Sequence, residues 1–169
     1  MRYDSEATMN TQFKHALILG KFMPVHNGHV YLIEMAEAKA EQLTIILFSE
    51  PTDPLPGALR LTWLKTLFPK SNLIHYQKPL PRDKTGYAHW DIWLDAVKAC
   101  LQDTDIDAVF SSEDYGERLA RDLEAIHILV DKSRTTVPIS ATQIREKPLD
   151  FLEHLPELVQ SHFKNTAHH

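Results

Sequence analysis

His15-Ala-Leu-Ile-Leu-Gly20-Lys-Phe-Met-Pro24-Val-His-Asn-Gly-His29 is the stretch on which the fold turns. Ala16-Leu-Ile-Leu19 is a short continuous apolar run, the pattern of a central parallel strand buried on both faces. Gly20 lets the backbone approach a ligand closely, and Pro24 stiffens the turn that follows. Asn27 is the expected N-cap of a helix starting at Gly28, with Val30, Ile33, Ala36 and Ala40 at helical spacing behind it. Lys21, His26, His29 and a helix N-terminus therefore gather at the carboxyl edge of a buried strand. Open α/β sheets hold phosphorylated ligands at that edge.

Outward from this stretch, strand and helix signals alternate. Leu43–Phe48, Asn72–Tyr76, Asp107–Ser111 and Ile126–Val130 read as strands. Residues 59–68, 87–102 and 115–123 read as helices, the first ending before Pro69. Residues 151–163 form an amphipathic run that predicts one closing helix. This order argues for an α/β fold, a doubly wound five-stranded parallel sheet with right-handed crossovers, Rossmann-like, plus a C-terminal helical segment. Residues 1–13 read as a flexible arm, 14–163 as one domain and 164–169 as a disordered tail, with His168-His169 resembling a tag remnant. Two proline-rich loops, 49–57 and 77–86, follow the second and third strands and so fall at the same edge as the histidines.

Composition narrows the function classes. The chain has 169 residues, 43% of them hydrophobic, enough for one well-buried domain. A net charge of −5 argues against nucleic acid or an anionic membrane as partner, so an anionic ligand needs a local basic cluster. One cysteine, Cys100, fits a reducing compartment and reads as an inert core thiol. No apolar run approaches the ~18 residues of a membrane span, and the first residues lack the apolar core of a signal peptide. Cytoplasmic residence is the expectation. Oligomeric state is left open, a homo-oligomer included.

The two histidines admit other readings. His-x-x-His serves as a metal pair elsewhere, but no third ligand at helical spacing accompanies it, and Gly28 interrupts the face. A plain strand-to-helix connector, or a satisfied core histidine, are the blander options. A second stretch weighs against them. Ser140 followed by Gln143 is a capping-box arrangement, starting a helix that must end near Pro148. Backbone N–H groups at 141–143 would face an anion there, with Thr142 and Arg145 on one face of the helix. A guanidinium so placed suits a pyrophosphate. Lys132 and Arg134 lie just upstream.

The segments 20–29, Ala88-His-Trp-Asp-Ile-Trp93, Phe110-Ser-Ser-Glu-Asp-Tyr-Gly116, Val130-Asp-Lys-Ser-Arg134 and Ile139-Ser-Ala-Thr-Gln-Ile-Arg-Glu-Lys-Pro148 together resemble the nucleotidylyltransferase superfamily. Within it they are similar to the nicotinamide mononucleotide adenylyltransferase domain of NadR-type proteins, from about residue 14 to the C-terminal helix. Such proteins usually continue into a ribosylnicotinamide kinase with a P-loop, and some carry a DNA-binding segment. The 169 residues contain neither, and Ala141 stands where glycine is frequent.

The resemblance implies that nicotinamide mononucleotide and ATP are joined to give NAD and pyrophosphate. It assigns His29 to the α-phosphate, His26 and Lys21 to the polyphosphate, and Ser140, Thr142 and Arg145 to its outer end. His29, His26, Lys21 and Arg145 are thus the expected catalytic residues. Gly20, Phe22 and Met23 complete the expected ATP-contacting run, with Ser112 and Glu113 on the adenosine side. Trp90 and Trp93 are candidates for the pyridine-ring pocket, where a cationic ring would meet an indole face, though core tryptophans are the alternative. Asp131, Lys132 and Arg134 are assigned to the pyridine nucleotide as well. Mg²⁺ is expected on substrate phosphates and water, with no protein metal site. Alternatives are a nucleotidylyltransferase for nicotinate mononucleotide, phosphopantetheine or another phosphorylated acceptor, and a non-catalytic nucleotide-binding sensor.

Overall fold

The computed structural model describes residues 11–81, 89–130 and 140–166. Five parallel strands form one sheet in the order β3-β2-β1-β4-β5. They are β1 (Phe13–Gly20), β2 (Ala40–Phe48), β3 (Asn72–Tyr76), β4 (Ala108–Ser111) and β5 (Ile126–Leu129). Helices α1 (Asn27–Lys39), α2 (Gly57–Leu67), α3 (Trp90–Leu101) and α4 (Tyr115–Asp122) connect them in turn. A short α5 (Ala141–Glu146), a 3-10 segment (Pro148–His154) and α6 (Glu157–Thr166) follow. The expected doubly wound parallel sheet is what forms.

Alternation along the inner strands feeds two cores. Ile18, Ile45, Leu47 and Phe110 face α1, α2 and the C-terminal segment, where Ile33, Leu64, Ile144 and Val159 are fully buried. Leu17, Ile46, Phe48 and Val109 face α3 and α4, against Val97 and Leu119. Strands covered on both faces must be apolar at every position, and this explains the continuous runs at 16–19 and 43–48. Thr44 is the exception inside β2. Its hydroxyl is satisfied by His15 Nε2 at 2.6 Å and by Asn72 Nδ2 at 3.3 Å.

Four local expectations differ from the structure. The N-cap of α1 is His26, not Asn27: the His26 ring accepts from Gly28 N–H at 3.0 Å. Asn27 instead donates its side-chain amide to the Glu153 carbonyl at 3.2 Å. The closing run 151–163 is two elements, because Pro156 cannot continue a helix through Leu155. β1 opens at Phe13, inside the expected arm, where Phe13 meets Phe110 edge-on at 6.0 Å and Gln12 N–H bonds Lys39 O. At the other end, Lys164–Thr166 lie within α6. No helix among the described residues is long and apolar enough to cross a membrane.

The order in which strands are added to the sheet reverses at β1, whose neighbours are β2 on one side and β4 on the other. β1 follows β2 as far as Gly20↔Leu47, while its pairs with β4 are Ala16↔Ala108 and Leu17↔Val109. Beyond these pairs β1 and β4 part at their carboxyl ends. A crevice opens where strand order reverses.

Candidate active site

A cleft of about 830 Å³ occupies that crevice. Its floor is the turn after β1, lined by Gly20, Lys21, Phe22, Met23 and His29. Ser112 and Glu113 reach it from the end of β4, Trp90 and Trp93 from α3, and Ala141 and Arg145 from α5.

Gly20 has a packing reason to be glycine. A Cβ there would lie 2.8 Å from the Phe22 ring, which is buried and folds back with a positive φ of 51°. That ring meets His29 edge-on at 4.9 Å. The His26 ring stacks on His29, with centroids 3.8 Å apart and planes inclined by 28°. His29 thus contacts two aromatic rings.

A reciprocal cap also fixes its tautomer. Gly28 N–H donates to His26 Nδ1 at 3.0 Å, and His26 N–H donates to His29 Nδ1 at 3.1 Å. With both Nδ1 atoms accepting, each neutral ring carries its proton on Nε2. Nε2–H is then the donor carried by His29, itself a cleft-lining residue. His26 is 7% exposed and is not among the cleft-lining residues.

The two motifs meet directly. Arg145 Nη1 donates to the Met23 carbonyl oxygen at 2.6 Å. Ser140 caps α5 as its sequence predicts, with Gln143 N–H on Ser140 Oγ at 3.4 Å and Ser140 N–H on Gln143 Oε1 at 3.1 Å. Its hydroxyl is therefore engaged in the cap, and Ser140 does not line the cleft. Thr142 is exposed and away from it as well; Ala141 and Arg145 are the cleft face of α5.

The tryptophans differ from each other. Trp90 is buried, donates Nε1–H to Asp122 at 2.6 Å, and has the Arg118 guanidinium 4.8 Å from its ring centroid. Trp93 is half-buried, donates to Pro81 O at 2.9 Å and rests edge-on against Phe48 at 5.3 Å. Asp131, Lys132 and Arg134 lie outside the described residues.

Three residues at or behind the cleft escaped the sequence reading. Tyr115 lines it and donates its hydroxyl to Leu19 O at 3.1 Å, bridging the parted ends of β4 and β1. Burial, with the Glu113 charge adding, pushes its phenol far above the usual range, so it stays a donor. Asp53 lines the opposite wall and pairs with Arg60, which is fully buried, at 2.6 Å. Burial raises the Asp53 carboxyl, but the Glu50 amide, Arg60 and the Lys21 charge outweigh it and hold the group below its usual value. Nothing periodic marks these three; Tyr115 and Asp53 fall in segments already singled out, but neither residue is distinguished within its segment. Among the described residues no group of three or more His, Cys, Asp or Glu side chains is placed to hold a metal ion.

No family model matches the chain. It is 31% identical over 173 residues to the trifunctional NAD biosynthesis/regulator protein NadR of Escherichia coli (strain K12), covering 89% of this chain and 41% of that protein. It is 27% identical over 162 residues to a phosphopantetheine adenylyltransferase of Streptococcus suis (strain 05ZYH33), covering 89% of this chain and 95% of that one. Among solved structures, NadR in complex with NR superposes with a TM-score of 0.63 at 20% identity, over 89% of this chain and 46% of that one. The chain thus spans less than half the length of the NadR proteins it matches. In sequence it is a homologue of these proteins, and it shares the fold of NadR.

Proposed function

We propose that this chain transfers the adenylyl group of ATP to nicotinamide mononucleotide, giving NAD and pyrophosphate. The observation that carries the reading is the Arg145–Met23 hydrogen bond, which puts the two anion-directed motifs around one cleft at the sheet's switch point. Identity of 31% with NadR, named for NAD biosynthesis, supports the choice of acceptor.

In this reading an oxygen of the mononucleotide 5′-phosphate attacks the α-phosphorus in line. A new P–O bond forms, the α–β bridging bond breaks, and pyrophosphate leaves with the electron pair. The attacking phosphate is already an anion, so no activated side-chain nucleophile is needed. Catalysis then consists of alignment and stabilisation of developing charge. His29 directs Nε2–H at the α-phosphate, Lys21 and Arg145 hold the polyphosphate, and His26 orders His29 through the stacked ring and the cap bond while adding a donor to the same anion-binding environment. Ser140 contributes through the helix cap, with Thr142 beside it in the first turn of α5 toward the outer end of the polyphosphate. The donors present suit phosphate oxygens, so Mg²⁺ would ride on those oxygens and on water, neutralising the departing charge. Trp93 is the better partner for a cationic pyridine ring, since Arg118 already covers Trp90.

One observation favours a second reading. The phosphopantetheine adenylyltransferase relative is matched over 95% of its own length. Pyrophosphate release from ATP, measured with nicotinamide mononucleotide, nicotinate mononucleotide and phosphopantetheine as acceptors, separates them. Fastest turnover with nicotinamide mononucleotide is expected. Turnover with phosphopantetheine alone overturns the reading, and ATP binding without turnover on any acceptor makes the chain a sensor.

A further inference from the structure

Arg60 is the largest fully buried side chain of the molecule's described residues, at 0% exposure. A guanidinium removed from water must satisfy its charge and its N–H fork locally. It does so on four acceptors. Nη2 donates to Asp53 Oδ2 at 2.6 Å, Nε to Leu55 O at 3.1 Å, and Nη1 to Lys21 O at 2.7 Å and Phe48 O at 3.4 Å.

These acceptors come from separate parts of the cleft wall. Phe48 ends β2, Asp53 and Leu55 belong to the proline-rich loop after it, and Lys21 belongs to the turn after β1. Lys21 is 39 positions from Arg60 in the chain. Both Lys21 and Asp53 line the cleft, and the Lys21 charge acts on the Asp53 carboxyl. One buried fork therefore fixes the Lys21 backbone from behind and orients the carboxylate that its ammonium senses in front. An ammonium on a four-carbon stem has wide freedom, so holding its Cα and its facing charge is what limits where it points.

From this we infer that Arg60 is the positioning residue for Lys21. It sets the ammonium toward the polyphosphate without touching substrate. The inference rests on the proposed ATP-binding role of the cleft.

The test is a double-mutant cycle in ATP binding, read by titration calorimetry on the full chain with Mg²⁺ and no acceptor, folding being checked by thermal melting. Arg60→Lys keeps the charge that Asp53 needs and loses the fork; Arg60→Gln is the second variant should the lysine not fold. With Lys21 present, either change is expected to weaken ATP binding about tenfold, and in a Lys21→Ala background less than about twofold, the non-additivity of residues that act as a unit. Equal factors in the two backgrounds overturn the inference alone. A wild-type chain that does not bind ATP overturns the functional reading, and the inference with it.

Discussion

Arg145 and Met23, 122 positions apart, are joined by a 2.6 Å hydrogen bond from guanidinium to backbone carbonyl. The bond is charge-assisted, and it fixes α5 against the turn after β1. Arg145 thus serves as a tether while also facing the cleft. Lysine cannot reproduce a planar fork serving both directions. Arg145→Lys and Arg145→Ala should each lower kcat/KM for ATP by about 10–100-fold. Lysine acting as well as arginine in steady-state assays would reduce the residue to a point charge.

His29→Ala should lower kcat by about 10²–10³, the loss typical of one preorganised donor at a developing charge. It should also cost stability, because His29 Nδ1 completes the reciprocal cap with the His26 amide. Loss of a cap is worth ~0.5–2 kcal/mol. Unchanged turnover, measured alongside urea denaturation, would exclude His29 from the chemistry.

The two tryptophans should separate cleanly. Trp90→Phe removes the bond to Asp122 and should lower stability by ~1.5–3 kcal/mol, the range for hydrogen bonds to charged groups. Its KM for the pyridine nucleotide should move little. Trp93→Ala should raise that KM several-fold through loss of the exposed ring face. The reverse pattern in kinetics and thermal melts would exchange their roles.

Three imidazoles make stability sensitive to mild acid. His15, His75 and His127 bond Thr44, Ser49 and Ser111 respectively. Burial holds each below the ordinary 6.5; Arg60 and Lys65 deepen the effect at His75, while Asp107 and Glu117 oppose it at His15 and His127. A depressed imidazole takes its proton first in the unfolded chain. On their account stability is level above 6.5, declines as pH falls below it, and levels again only beneath the folded-state values. Urea midpoints from about pH 8 down to about pH 5 should trace that fall. A slope unaltered in His75→Gln and His127→Gln would assign the sensitivity to other groups.

Gly116→Ala should destabilise by ~1–3 kcal/mol, because its Cβ would drive into Ser111 Oγ and the His127 ring. An alanine variant with an unchanged urea midpoint would mean that the pair can move aside.

The inner strands are legible in sequence because burial on both faces forces apolar runs at 16–19 and, with Thr44 as the one polar member, at 43–48. The Ser140–Gln143 cap is legible because both partners are local. What escapes is whatever depends on tertiary placement. His26 outcompetes Asn27 as N-cap because the turn after Pro24 delivers its ring over Gly28 N–H, while Asn27 finds Glu153 far along the chain. Thr142 and Arg145 share a helical face in projection, but only the longer side chain faces the cleft, joined there by Ala141. Arg60 reads as an ordinary helix cation, since its four acceptors are gathered only when the sheet forms. The place of the proline-rich loop 49–57 at the carboxyl edge is legible from its position after β2, yet its acidic contribution to the cleft, Asp53, carries no spacing signature.

The sheet holds one detail twice. On one flank Gly57, Ser49 and His75 crowd together, and on the other Gly116, Ser111 and His127 do the same. In each trio a bare helix start leaves just enough room for a hydroxyl to meet a ring on the outermost strand. A side chain on either glycine would run into both of its partners, so substitutions there must come in matched sets, and a redesign of one flank can be rehearsed on the other.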